Sequence, residues 1–179
     1  MVLPVLIGSG ILAGAGVVLI GIATALTGII GSKKEGDTKN KLLASAGISG
    51  FSALLALIAA IVGLAYGVYS FRSSTLPLAS FKKETQGWLI AFIVLTIIVI
   101  VMYIVVIALN VTLRKNPELD PSQQNSMTTG IVLAGIGLLC IIIASIIIYA
   151  YGRSKAPKGT KEVAQVGQAV EQIGLAEAL

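Results

Sequence analysis

Three polar side chains in apolar surroundings hold most of the chemistry this chain can offer: Thr96, Tyr103 and Asn110, spaced seven residues apart. Seven residues is close to two helical turns, so on a helix they share one face. Such a face has two readings. It is a polar seam lining a solute path, or a row of hydroxyl and amide groups that bond neighbouring helices, each contact worth about 0.6 kcal/mol in a bilayer. One Thr, one Tyr and one Asn near a helix end make a thin lining for a conduit, which favours the second reading.

The remaining motif matches lack the groups their chemistry needs. Gly8-Ser9-Gly10-Ile11-Leu12-Ala13 fits the glycine pattern of a dinucleotide turn, but that site also requires an acid about 20 residues on. The chain there reads Gly28-Ile29-Ile30, and its first acid is Glu35. Asn110-Val111-Thr112 fits a glycosylation acceptor but lies inside an apolar run, where no surface loop is expected. Cys140 is the single cysteine, so no intramolecular disulfide is possible. Nothing near it in sequence would stabilise a thiolate, and it reads as a small core residue. The chain has no histidine, which removes the commonest metal ligand and the commonest general base. These observations predict no catalytic residues, no cofactor-binding residues, no metal site and no small-molecule substrate.

The elements that hold these residues are legible from charge. Met1 to Ser32, Leu42 to Phe71, Thr85 to Leu113 and Gln123 to Gly152 contain no charged side chain. Each exceeds the roughly 20 residues that cross a hydrocarbon core. The 179 residues are 56% hydrophobic and 12% charged, against about 25% charged in a soluble domain. The expectation is an all-α integral membrane protein, with four transmembrane helices in a short-loop antiparallel bundle and a C-terminal amphipathic segment. The spans are placed at about 5–31, 42–71, 87–113 and 123–151, within a membrane domain of residues 1–152. Residues 153–179 form a linker and tail. The opening apolar run is too long for a signal-peptide core and lacks a basic start, so it reads as the first span.

Local signals refine this picture. Asp120, Pro121 and Gln123 form a helix start, with Asp as cap, Pro in the first turn and Gln three residues after the cap. Trp88, Tyr66, Tyr69, Phe71, Tyr149 and Tyr151 fall where interfacial aromatics belong. The basic residues divide seven against six between the two faces, so the positive-inside rule gives no orientation; the tail charges favour cytoplasmic termini. The 13 Lys and Arg sit in loops and tail without an aromatic strip, a pattern for anionic lipid rather than nucleic acid.

Helices in lipid associate by close packing, which small residues permit. Span one carries Gly10, Gly14, Gly21 and Gly28, read as one packing stripe reinforced by Ala25. Span two has Ala46, Gly50, Ala53, Ala60, Gly63 and Gly67. Span four has Gly130, Ala134 and Gly137, with Ala144 further on. Span three is rich in Ile and Val, as suits a helix with more lipid contact. In the tail, Val163, Val166, Val170 and Ile173 share a helical face. The polar side there is acidic and amide-rich rather than Lys-rich, which favours docking on a protein over lying on lipid.

Ion-coupled transport and proton relays depend on ionisable groups inside the spans, and this chain places none there. The expected function is therefore structural: a non-catalytic membrane subunit of a larger assembly, with the bilayer and other protein subunits as partners. The favoured setting is the internal membrane of a virus particle, as a minor capsid or membrane protein. The alternatives are an accessory subunit of an organellar or bacterial membrane complex, and a small channel or facilitator.

Overall fold

A computed structural model describes residues 3–157, and the predicted docking positions Val163, Val166, Val170 and Ile173 lie outside them. The described chain is four long helices: α1 (Leu3–Ser32), α2 (Gly36–Arg72), α3 (Leu78–Arg114) and α4 (Pro121–Ser154), with one 3-10 turn at Ser73–Thr75. All four are long and apolar enough to cross a membrane. This is an all-α, four-helix integral membrane bundle.

α2, α3 and α4 outrun their uncharged stretches. At 1.5 Å per residue, the 37 residues of α2 and of α3 reach about 55 Å, well beyond a hydrocarbon core of about 30 Å. The polar residues 36–41 continue α2 below its apolar part, and 78–86 form the first turns of α3. The links are correspondingly tight. Gly36 takes φ +65°, a conformation an L side chain rarely adopts, and lets α2 begin with only three residues between it and α1. Leu76 is extended ahead of Pro77, as a residue before proline must be, and α3 starts at once. Pro117 blocks continuation of α3. At the start of α4 the expected capping box is present: the Asp120 amide donates to the Gln123 side-chain oxygen at 3.2 Å.

Around the bundle α1 touches α2 and α4, and α3 touches α2 and α4. The diagonal pair α2 and α4 also meet, whereas the backbones of α1 and α3 stay apart among the described residues. The cross-section is thus a rhombus with its short diagonal between α2 and α4, the helices richest in small inward residues. At mid-height a cluster of Ile20, Ala56, Ala59, Val99, Tyr103 and Ile141 fills the centre. Leu42, Met127 and Ile30 close one end, with Leu119 from the α3–α4 turn folded in as a plug. Tyr66, Phe92 and Ile148 fill the other.

Candidate functional site

α1 and α4 meet backbone to backbone at a pair of glycines. A Cβ added at Gly16 would lie 2.7 Å from the Gly137 carbonyl oxygen, and one added at Gly137 would lie 2.8 Å from the Gly16 oxygen. Any side chain at either position would force the helices apart. The predicted stripe of α4 faces this seam: Gly130, Ala134, Gly137 and Ala144 are all buried.

The predicted stripe of α1 does not form that seam, and the expectation is corrected here. Gly14 and Gly21 have no described neighbour that an added Cβ would meet, and Gly21 and Ala25 are exposed. The inward line is Leu6, Ser9, Ala13, Gly16, Ile20, Ala23, Thr27 and Ile30. Positions 13, 20 and 27 keep the same seven-residue period as 14, 21 and 28 but sit one residue earlier, which is about 100° around the helix. The α1–α4 seam keeps the seven-residue period of the predicted stripe on a different face of the helix. Gly28 and Gly10 point instead toward α2, where added Cβ atoms would stand 3.8 Å from Ala46 and 3.5 Å from Leu64.

The stripe of α2 divides between two partners. Gly50 faces Thr24 of α1, and Gly67 lies under Leu6, 2.5 Å from an added Cβ. Gly63 lies under the Phe92 ring of α3, 2.6 Å from an added Cβ. Ala53 packs on the central cluster, and Ala46 and Ala60 are half-buried. Alongside runs a feature the sequence reading passed over: Ser45, Ser49 and Ser52, at helical spacing and all buried. Ser49 and Thr24 share a hydrogen bond of 2.6 Å, and Ser45 donates to Asn110 Oδ1 at 2.8 Å. Ser52 turns back on its own helix, donating to the Ile48 carbonyl. The signal was the three- and four-residue spacing of serines inside an apolar run.

The face of α3 holding Thr96, Tyr103 and Asn110 points inward without forming a continuous lining. Asn110 bonds Ser45 between helices, which also occupies its amide oxygen within the bundle. Tyr103 is fully buried in the apolar cluster, and its hydroxyl has no partner among the described residues. Thr96 faces a shallow slot of about 300 Å³ between α3 and α4, shared with Ser145 and Ile97. Val99 and Tyr103, both fully buried, separate the Thr96 slot from Asn110.

Two larger grooves open at the ends. One, of about 580 Å³, lies between α2 and α3 beside Lys41 and Lys115. The other, of about 460 Å³, lies between α3 and α4 beside Lys82 and Arg153. Among the described residues no group of three His, Cys, Asp or Glu side chains could hold a metal ion. Cys140 is a free, half-buried thiol packed near Gly16.

The geometry defines a membrane bundle built around small-residue seams and a serine row. No family model matches the chain, and neither a curated protein nor a solved structure matches it.

Proposed function

We propose that this protein is a non-catalytic structural subunit of a membrane-bound assembly, holding its place in the bilayer by a sealed bundle and engaging partners through its ends and tail. The observation that carries the reading is the closed centre. Ile20, Val99 and Tyr103 are all fully buried at mid-height, where a conduit would need water or polar walls. The Gly16–Gly137 approach favours a fixed packing over a moving one, since contacts of that kind leave no slack between backbones. The outward faces of all four helices carry large apolar side chains, such as Ile11, Ile61, Ile97 and Ile146. They suit lipid or neighbouring apolar helices. The favoured setting is the internal membrane of a virus particle, with an organellar or bacterial membrane complex as the alternative. Both are consistent with spans free of charged relays.

Two measurements test this. Purified protein in liposomes is expected to show no selective ion flux, and robust conductance would replace the structural reading with a channel. Cross-linking mass spectrometry in the native membrane is expected to find protein neighbours at fixed stoichiometry. Recovery of the chain alone would overturn the assembly.

A further inference from the structure

The groove between α3 and α4 combines features that neither packing nor sealing requires. Its mouth is cationic: Lys82, in the second turn of α3, and Arg153, at the end of α4, both line it. The Arg153 guanidinium donates to the Tyr149 hydroxyl at 3.2 Å, which holds it at the mouth, and Gln86 adds an amide. Phe81 adds a ring at the level of the mouth, and below it the wall turns apolar at Leu89. The same seam then continues into the slot beside Ile93 and Ile97, and Tyr149 borders both. From Leu89 to Ile97 is eight residues, about 12 Å of helix, close to the ~15 Å depth of one leaflet.

Charge separates this groove from its counterpart at the opposite end. There Lys41 is ion-paired with Asp37, and six basic residues share the end with Glu35, Asp37, Glu118 and Asp120. At the α3–α4 mouth, five basic residues of the described chain share the end with one acid, Glu84, whose carboxylate accepts a hydrogen bond from Ser73 at 2.6 Å. No carboxylate pairs with Lys82 or Arg153 among the described residues. Basic pockets between transmembrane helices are the usual seat of anionic lipid headgroups.

We propose that the α3–α4 groove binds one anionic phospholipid, its phosphate between Lys82 and Arg153 and one acyl chain along Leu89, Ile93 and Ile97. The full-length protein in detergent would be titrated with phosphatidylglycerol or phosphatidylcholine of matched chains and read by native mass spectrometry. One retained phosphatidylglycerol per chain is expected, preferred over phosphatidylcholine. The double variant K82Q/R153Q should lose affinity by roughly fivefold per cation, about 25-fold in all, whereas K41Q/K115Q should keep it. Equal retention by the two double variants would overturn the site, as would equal loss. Glycerophosphate at the same concentration should not displace the lipid; displacement would mean that the headgroup alone is bound and would overturn the acyl-chain part. A photo-crosslinker placed at Gln86 should capture lipid. Capture of residues 158–179 in its place would assign the groove to the chain's own tail and end the proposal.

Discussion

The two ends of the bundle are held together by different chemistry. Where the α1–α2 and α3–α4 turns meet, polar side chains join the elements. Ser45 bonds Asn110, Asn116 bonds Thr38 at 3.0 Å, and the Lys34 ammonium donates to the Glu118 carbonyl. At the opposite end, rings lie over small residues. Tyr66 stacks near Phe92 with centroids 6.5 Å apart, Tyr69 stacks on Trp88 at 5.4 Å, and Gly63 and Gly152 make room beneath Phe92 and Tyr66. Helix association in lipid gains little from the hydrophobic effect, so it must come from hydrogen bonds or from close contact. This molecule leans on interhelical hydrogen bonds at one end and on rings over glycines at the other, although Ser73 also bonds Glu84 at the ring end and Leu42, Met127 and Leu119 pack at the polar end. Hydrogen bonds are directional and fix register with little buried area. Rings over glycines give area, but they brace mainly the α2–α3 seam and leave α3 and α4 parted at their shared mouth.

Both ends hang on the Gly16–Gly137 contact at mid-height, and the largest effect is expected there. Gly16→Val places a branched side chain against the Gly137 carbonyl and Ile141, an overpacking that costs about 3 kcal/mol. Thermal unfolding in detergent should fall sharply, and both ends should loosen. Gly21→Val, on the exposed face, should unfold with the wild type. Equal loss in the two variants would mean that the stripe one residue further on is the real interface.

Gly152→Val separates the ends. Its Cβ would meet the Tyr66 ring, itself buried against Phe92 and Ile148, so the ring must move at a cost of about 2 kcal/mol. Trp88 is the only tryptophan and stacks at this end, so its emission reports locally. Emission should shift with Gly152→Val. A shift of the same size with a substitution at the hydrogen-bonded end would show that the two ends are not independent.

How much of this was readable beforehand follows from what each feature depends on. Spans depend on composition alone, and four charge-free runs become four helices. The Asp120 start depends on three neighbouring residues, and it forms as read. Helix ends inside polar segments depend on local turn geometry: Gly36 and Pro77 set α2 and α3 beyond the apolar boundaries. Phase depends on the neighbours. Glycines at 14, 21 and 28 and the buried residues at 13, 20 and 27 have one period, and only the partner helix selects between them. Gly16 breaks no period of its own and gave no signal until Gly137 stood opposite. The α3–α4 groove joins Lys82 to Arg153 across 70 intervening positions of chain, a pairing fixed by antiparallel packing rather than by any local pattern.

Asn110→Leu tests the polar end with a smaller effect. It strands the Ser45 hydroxyl and removes one interhelical bond, a loss of about 1 kcal/mol. Trp88 emission should stay unchanged. In a double-mutant cycle with Ser45→Ala the coupling should be about 0.6 kcal/mol. Zero coupling would make the bond a bystander.

Tyr103→Phe is the counterpart in which pairing is already absent. Its side chain belongs to the cluster of Ile20, Ala56, Val99 and Ile141, and its buried hydroxyl has no partner among the described residues. Keeping a buried hydroxyl unpaired is itself unfavourable, so deleting the oxygen while keeping the ring should leave unfolding unchanged or raise it by up to about 1 kcal/mol. The sign is what matters. If polar groups inside this bundle stabilise only when bonded, Asn110→Leu and Tyr103→Phe must move in opposite directions or the second must not move at all. A loss for Tyr103→Phe as large as that for Asn110→Leu would mean that the hydroxyl has a partner, and water reaching the centre is the partner that would unseal it.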